Sequence, residues 1–120
     1  MQLNPNDVDA YSGRGCAYSE KKDYDRAIED CTQAIRLDPN GAKAFYNRGL
    51  AYKQKGDYDR AIVDYTRVIR LDPNFAAAYS NRGAAHNSKG NRAQARADWT
   101  KALQLDPDNQ ESREMLEKYK

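Results

Sequence analysis

The side chains that could carry out catalysis or bind a metal are few in this 120-residue chain. His86 is its single histidine, and its two cysteines are Cys16 and Cys31. No group of His, Cys and Asp has the spacing of a metal site, and no glycine-rich phosphate loop is present. We therefore expect no enzyme activity and no cofactor. We expect Cys31 to be a small buried hydrophobic residue, whereas Cys16 could present a reactive thiol.

Arginines and aspartates each recur at intervals of 34 residues along the chain and form two columns of opposite charge. Their members are Arg14, Arg48 and Arg82, and Asp30, Asp64 and Asp98. A half-buried arginine is usually paired with a carboxylate. We therefore predict an Arg–Asp ladder that joins neighbouring helices. The alternative is that the three arginines hold an anionic ligand.

A pair of asparagines, Asn47 and Asn81, follows the same period. A side-chain amide offers a donor and an acceptor together, which suits the main chain of an extended peptide. Gly13 takes the corresponding earlier position and interrupts the column. The alternative is that both asparagines are merely soluble residues on an exposed helix face.

The spacing of the four prolines indicates where the helices that carry these residues end. The prolines follow one another at intervals of 34 residues, each after a Leu-Asp or Leu-Asn pair: Pro5, Pro39, Pro73 and Pro107. Proline removes a backbone donor and clashes with the preceding helical turn, so each phrase indicates a helix end. A fixed period of this length predicts a repeat architecture.

Each unit contains a first helix (helix A), a tight turn and a second helix (helix B). Gly56-Asp57 and Gly90-Asn91 suit the turn, because Gly ends one helix and Asp or Asn caps the next. We predict A helices near 8–21, 42–55 and 76–89, and B helices near 24–37, 58–71 and 92–105. A capping helix at 109–119 would place Met115, Leu116 and Tyr119 against the last repeat. The chain would then be one domain, 1–120, with repeats at about 5–38, 39–72 and 73–106.

The repeated unit resembles the tetratricopeptide repeat (TPR). In the middle copy the matching residues are Phe45, Gly49, Tyr52, Ala61, Tyr65 and Pro73. The match covers residues 5 to 106, and its steady departure is the arginine column, where the family most often has Leu. The resemblance implies an all-α, right-handed superhelical solenoid of antiparallel helix pairs, with seven helices. It also implies that the A helices line a concave groove.

The function that the resemblance implies is a protein–protein interaction scaffold that binds an extended peptide in this groove. The groove residues would be Lys43, Tyr46, Asn47, Leu50, Lys53, Asn81 and Asn87. One TPR class clamps the C-terminal carboxylate of heat-shock chaperones with two lysines, two asparagines and an arginine. The matching positions here are Ser12, Cys16, Asn47, Ala77 and Asn81, of which only Asn47 agrees. We therefore do not expect a chaperone-tail clamp.

The N-terminal residues suggest an alternative function. The phrase Gln2 to Pro5 reproduces Gln104 to Pro107, so we expect it to be the tail of a preceding repeat in a longer array. The first A helix would then lack a cap. The chain could be a structural or engineered array segment that self-associates end to end through this face.

Charge and hydropathy restrict the remaining partners. The net charge is only +2, and the basic residues of the B helices are interleaved with acids, so we expect no nucleic-acid partner. No apolar run reaches the roughly 18 residues of a membrane span. Residues 1–10 lack the pattern of a signal peptide. These features favour a cytoplasmic location without membrane contact.

Overall fold

The computed structural model describes residues 6–120, and within that range it consists of α-helices without strands. The helices are α1 Val8–Glu20, α2 Tyr24–Leu37, α3 Ala42–Gln54, α4 Tyr58–Leu71, α5 Ala76–Ser88, α6 Arg92–Leu105 and α7 Gln110–Lys118. The predicted all-α class is confirmed, and the six repeat helices begin at the predicted residues. The proposed tail of a preceding repeat, residues 2–5, lies outside the described range.

The turns between helices A and B follow from local chemistry. Gly56 and Gly90 adopt φ values of 83° and 86°, and Lys22 takes their place in the first repeat with φ 64°. The next residue caps helix B in two repeats, because Asp23 and Asp57 accept the backbone N–H groups of residues 26 and 60, each at 3.3 Å. Asn91 stands at the third N-cap but makes no such side-chain bond. The sequence-based prediction of an N-cap is thus correct in position there and wrong in its hydrogen bond.

Each B helix ends at a recurring Leu-Asp-Pro sequence, where the aspartate side chain bonds to the backbone of the following turn. Asp38, Asp72 and Asp106 accept the backbone N–H two residues later, at 3.2, 3.2 and 3.1 Å. An aspartate that bonds its own backbone in this way forms a turn. The chain is therefore redirected at the same point of every repeat, which stacks the repeats into an elongated body of 49 × 25 × 21 Å.

The core lies between helices A and B, where small residues allow close approach. Ala27, Ala61 and Ala95 are fully buried. At Gly49 a Cβ atom would stand 2.8 Å from Cε1 of the Tyr65 ring, which only glycine avoids. The column of Tyr65 continues as Cys31 and Trp99 in the other two repeats, and all three side chains are buried.

The last helix, α7, covers the end of the third repeat. The Ser112 hydroxyl donates to the Ser80 hydroxyl at 3.1 Å in a fully buried contact. The Tyr119 ring stacks on Trp99 with centroids 5.9 Å apart. Arg96 donates from Nη1 to the carbonyl oxygens of Leu116 and Tyr119. None of the helices in residues 6–120 has the length and apolar character needed to cross a membrane.

Candidate functional site

The arginine and aspartate columns meet as three bidentate ion pairs. In the first repeat Arg14 donates to Asp30 from Nε at 2.7 Å and from Nη2 at 2.8 Å. The pairs Arg48–Asp64 and Arg82–Asp98 repeat this geometry with distances of 2.7 to 2.9 Å. Each pair joins helix A to helix B of its own repeat. The guanidinium groups are therefore engaged within the fold, and this arrangement favours the structural interpretation over an anionic ligand.

A further contact links the second and third ion pairs to the preceding repeat. Arg48 donates from Nη1 to the Thr32 hydroxyl at 3.2 Å, and Arg82 donates to the Thr66 hydroxyl at 3.3 Å. These threonines were not predicted as contacts, although Thr32, Thr66 and Thr100 recur at the same 34-residue period. The ladder thus connects repeats as well as helices within a repeat.

Asn47, one of the predicted groove residues, lies on α3 beside α1. Its amide Nδ2 donates to the Cys16 sulfur at 3.3 Å. Within residues 6–120, its carbonyl oxygen accepts no hydrogen bond. A pocket of about 210 Å³ adjoins this amide and is lined by Cys16, Ser19, Glu20, Asn47 and Leu50. The predicted groove residues Asn47 and Leu50 therefore share one depression of the surface.

Asn81 lies one repeat further along the groove and is more strongly engaged. Its carbonyl oxygen accepts from the Lys53 ammonium at 2.7 Å, and its Nδ2 donates to the Tyr46 hydroxyl at 3.1 Å and to the Ala77 carbonyl at 2.9 Å. Burial lowers the pKa of Lys53, and the carboxylate of Glu111 on α7 opposes that shift. The structure thus brings Lys53, Tyr46 and Asn81 together as one hydrogen-bonded group.

The remaining predicted groove residues, Lys43 and Asn87, have different surroundings. Lys43 is exposed beside a cavity at the N-terminal end of the groove. Asn87 lies toward Tyr119, the residue that follows α7, and its polar side chain lowers the pKa of that phenol. The sequence did not predict that Asn87 would lie near the C-terminal residues.

His86 and Cys31 lie outside the predicted groove. His86 is half-buried in the column of Tyr18 and Tyr52, and among residues 6–120 its buried Nδ1 has no hydrogen-bond partner. Burial lowers the pKa of His86 and raises that of the Cys31 thiol to about 12. In the described part of the chain, no three His, Cys, Asp or Glu side chains are grouped as metal ligands.

Solved structures of similar proteins share this architecture. The first TPR domain of Spaghetti (RPAP3), bound to the HSP90 peptide SRMEEVD, is 27% identical, with 99% of this chain and 94% of that one covered and a TM-score of 0.92. The second TPR domain of human RPAP3, in complex with the HSP70 peptide SGPTIEEVD, is 30% identical, with coverage of 94% and 98% and a TM-score of 0.87. The Arabidopsis OM64 TPR domain is 26% identical, with coverage of 94% and 93% and a TM-score of 0.92.

The repeats themselves match a known family. No curated protein sequence gives a significant match to the chain. The family model described as tetratricopeptide repeat matches residues 8–40, 42–75 and 76–109, which together span most of the chain. With three matched repeats and the corresponding helix pairs in the structure, the chain belongs to the tetratricopeptide repeat family.

Proposed function

We propose that this protein is an interaction module that binds an extended peptide segment along its concave groove, with Asn47 and Asn81 as the principal contacts. The observation that carries this proposal is the position of the two amides, one repeat apart on α3 and α5 and both partly accessible. Lys43, Tyr46, Leu50 and Lys53 would contact the side chains of the peptide. The peptide complexes of similar TPR domains support this function in general terms.

The two amides suit main-chain recognition in different ways. Asn47 donates to the Cys16 sulfur, which is a weak acceptor, so a peptide carbonyl could replace that contact at little cost. Its open carbonyl oxygen could accept a peptide N–H. Asn81 is oriented by Lys53 and Tyr46, and a carbonyl oxygen has a second lone pair for a peptide N–H. An oriented amide loses less side-chain entropy when the peptide binds.

An acidic chaperone tail fits the groove less well than a general extended segment. The positions that supply cations in the clamp class hold Ser12, Ala77 and Asn81 here. The ammonium of Lys53 is partly desolvated and already bonded to Asn81. A terminal carboxylate would therefore lack the cluster of positive charge that offsets its desolvation.

The test is capture of a partner by the wild-type chain and by variants of the two asparagines. Asn47→Ala, alone and with Asn81→Ala, should reduce partner capture at least about tenfold, the loss expected for one or two hydrogen bonds left unmade. The control replaces two exposed amides on the B helices, Gln33→Ala with Gln104→Ala, and should capture the partner like the wild type. Helix content and cooperative unfolding are measured for each variant. Unchanged capture by a folded Asn47→Ala variant would rule out main-chain recognition by this residue.

A second function, self-association through the N-terminal face, has one supporting observation. The Arg14 side chain is 37% exposed, whereas Arg48 and Arg82 are 19% and 21% exposed. Within residues 6–120 no threonine accepts from Arg14 as Thr32 and Thr66 do from the other two. A second copy could cover this face. Light scattering over a concentration series tests the idea, because a strict monomer at every concentration would contradict it.

A further inference from the structure

The space between the second and third repeats, which we term the second junction, is filled by aromatic rings. The ring centroids of Tyr46 and Phe75 are 4.8 Å apart, and those of Tyr46 and Tyr65 are 6.1 Å apart. Tyr46 and Phe75 pack against the buried core formed with Val68 and Ala78. Aromatic pairs at these distances contribute beyond the area that they bury.

The first junction, between the first and second repeats, has small residues at the same three positions. Ser12, Cys31 and Gly41 stand where the next repeat has Tyr46, Tyr65 and Phe75. The backbone is not the reason for the difference, because Gly41 has φ −82° and ψ 95° and Phe75 has φ −80° and ψ 84°.

Two of these small residues, Ser12 and Gly41, line a cavity of about 350 Å³. Its lining includes Ser12, Gly13, Cys16, Ala34, Gly41 and Ala44. A Cβ atom at Gly13 would meet no other atom within 4 Å, so the space on that side is open. A volume of this size lies within the usual range of ligand pockets.

The charge around the cavity restricts its occupant. Asp9, Asp38 and Lys43 are exposed residues of its lining, which therefore carries two carboxylates and one ammonium. The cavity is also continuous with the groove, because Cys16 lines it and contacts Asn47 as well. An occupant with an apolar body and a neighbouring positive charge complements this site.

We propose that this cavity is an anchor pocket for one aromatic side chain, Phe or Tyr, from a peptide residue that adjoins Lys or Arg. The pocket rests on the proposed function of the groove and specifies the chemistry of its partner. The aromatic ring would take the place that Phe75 takes beside Tyr46 in the second junction. The neighbouring cation would lie near Asp9 and Asp38.

The experiment is a titration followed by amide chemical shifts, with the blocked pentapeptide Gly-Lys-Phe-Lys-Gly as the probe. We expect shifts centred on Ser12, Cys16 and Ala44. The same peptide with Ala for Phe should bind about tenfold to a hundredfold more weakly, as expected for losing a buried aromatic side chain. A peptide with Glu for both Lys should also bind more weakly. Equal affinity of the Phe and Ala peptides, or an absence of shifts at these residues, would overturn the proposal.

Variants that fill the cavity provide the second arm. Ser12→Tyr with Gly41→Phe reproduces the aromatic pair of the second junction and should lower the affinity of the Phe peptide to that of the Ala peptide. If the double variant does not fold, Gly41→Phe alone tests the same expectation. Gln33→Ala changes an exposed residue of α2 outside the cavity lining and should bind like the wild type. Retained affinity in a folded, filled variant would overturn the pocket.

Failure of the pocket can be told apart from failure of the groove. Asn47→Ala should weaken the Phe and Ala peptides equally, because it removes a main-chain contact, whereas the filled variant should affect only the Phe peptide. Full affinity of the Phe peptide for Asn47→Ala would exclude the main-chain contact and leave the pocket supported. Equal binding of both peptides that is lost in Asn47→Ala would support the groove and exclude the pocket.

Discussion

Arg48 and Asp64 join the two helices of the middle repeat through two parallel hydrogen bonds, from Nε to Oδ2 at 2.9 Å and from Nη2 to Oδ1 at 2.8 Å. Asp64 is 2% exposed. Burial raises the pKa of its carboxyl group, and the guanidinium opposes that shift. The hydrogen bond to Asp64 raises the pKa of Arg48 in turn. Each charge is therefore tolerated inside the repeat because the other is present.

Removing one member of this pair should be costly. We expect Asp64→Ala to lower the free energy of unfolding by about 3–5 kcal/mol, because it leaves a half-buried cation unpaired. Urea denaturation measures the change. Asp25→Ala is the control, since its carboxylate is 75% exposed and pairs with Lys55 on the surface. That control should change the stability by less than about 1 kcal/mol, and similar losses in both variants would contradict the prediction.

Two glycine-to-alanine substitutions should change the stability of the fold in opposite directions. At Gly83 a Cβ atom would stand 2.7 Å from Nε1 of Trp99, so Gly83→Ala should destabilise the fold by about 1–3 kcal/mol through overpacking. At Gly13 the space is open and the backbone is helical, so Gly13→Ala should stabilise it by roughly 0.5–1 kcal/mol. Thermal unfolding of both variants measures the two changes in stability. Changes of the same sign would show that the close contact of Gly83 with Trp99 does not limit the size of the side chain at residue 83.

The two thiols should react at very different rates. Cys16 is partly exposed in the groove, whereas Cys31 is buried with its pKa raised to about 12. A disulfide exchange reagent at pH 8 should therefore label one thiol in the folded protein and the second only after unfolding. Mass spectrometry of the labelled peptides identifies each site, and Cys16→Ala should remove the fast reaction. Fast labelling of Cys31 in the folded chain would contradict its burial.

The raised pKa of the Cys31 thiol predicts that the folded protein loses stability at alkaline pH. The folded state keeps the Cys31 proton up to about pH 12, whereas an ordinary thiol has a pKa of 9.0. The unfolded chain thus releases its proton first as the pH rises. The contribution of Cys31 should be complete below pH 9 and decline between pH 9 and 12. The stability difference between wild type and Cys31→Ala, measured across that window, should shrink, and a constant difference would contradict the prediction.

Arg96 should hold the capping helix in place. Its guanidinium donates to the carbonyl groups of Leu116 and Tyr119 at the end of α7. Arg96→Ala should therefore speed hydrogen exchange in α7 while the amides of α3 and α4 stay protected. Lys101→Ala removes an exposed charge from the same helix and should leave exchange in α7 unchanged. Equal exchange of α7 in both variants would show that Arg96 is not needed to hold it.

The sequence by itself determined the period, the helices and the family. Proline, glycine and aspartate act on their own neighbours in the chain, so Pro39, Gly56 and Asp57 could be interpreted without knowledge of any distant residue. The ion pair of Arg48 with Asp64 was also predictable, because both columns recur with the repeat. What lies between repeats was not predictable in the same way.

The hydrogen-bond partners of the groove residues depend on how the repeats pack together. The tertiary structure joined Asn81 to Lys53 and Tyr46, placed Asn87 near Tyr119, and gave Asn47, among residues 6–120, a single weak acceptor. It also produced the cavity where Ser12 and Gly41 leave a space. The physical reason is that a period specifies which face of a helix a residue occupies. Whether that face is filled depends on the side-chain volumes contributed by other helices, and those meet only when the repeats stack.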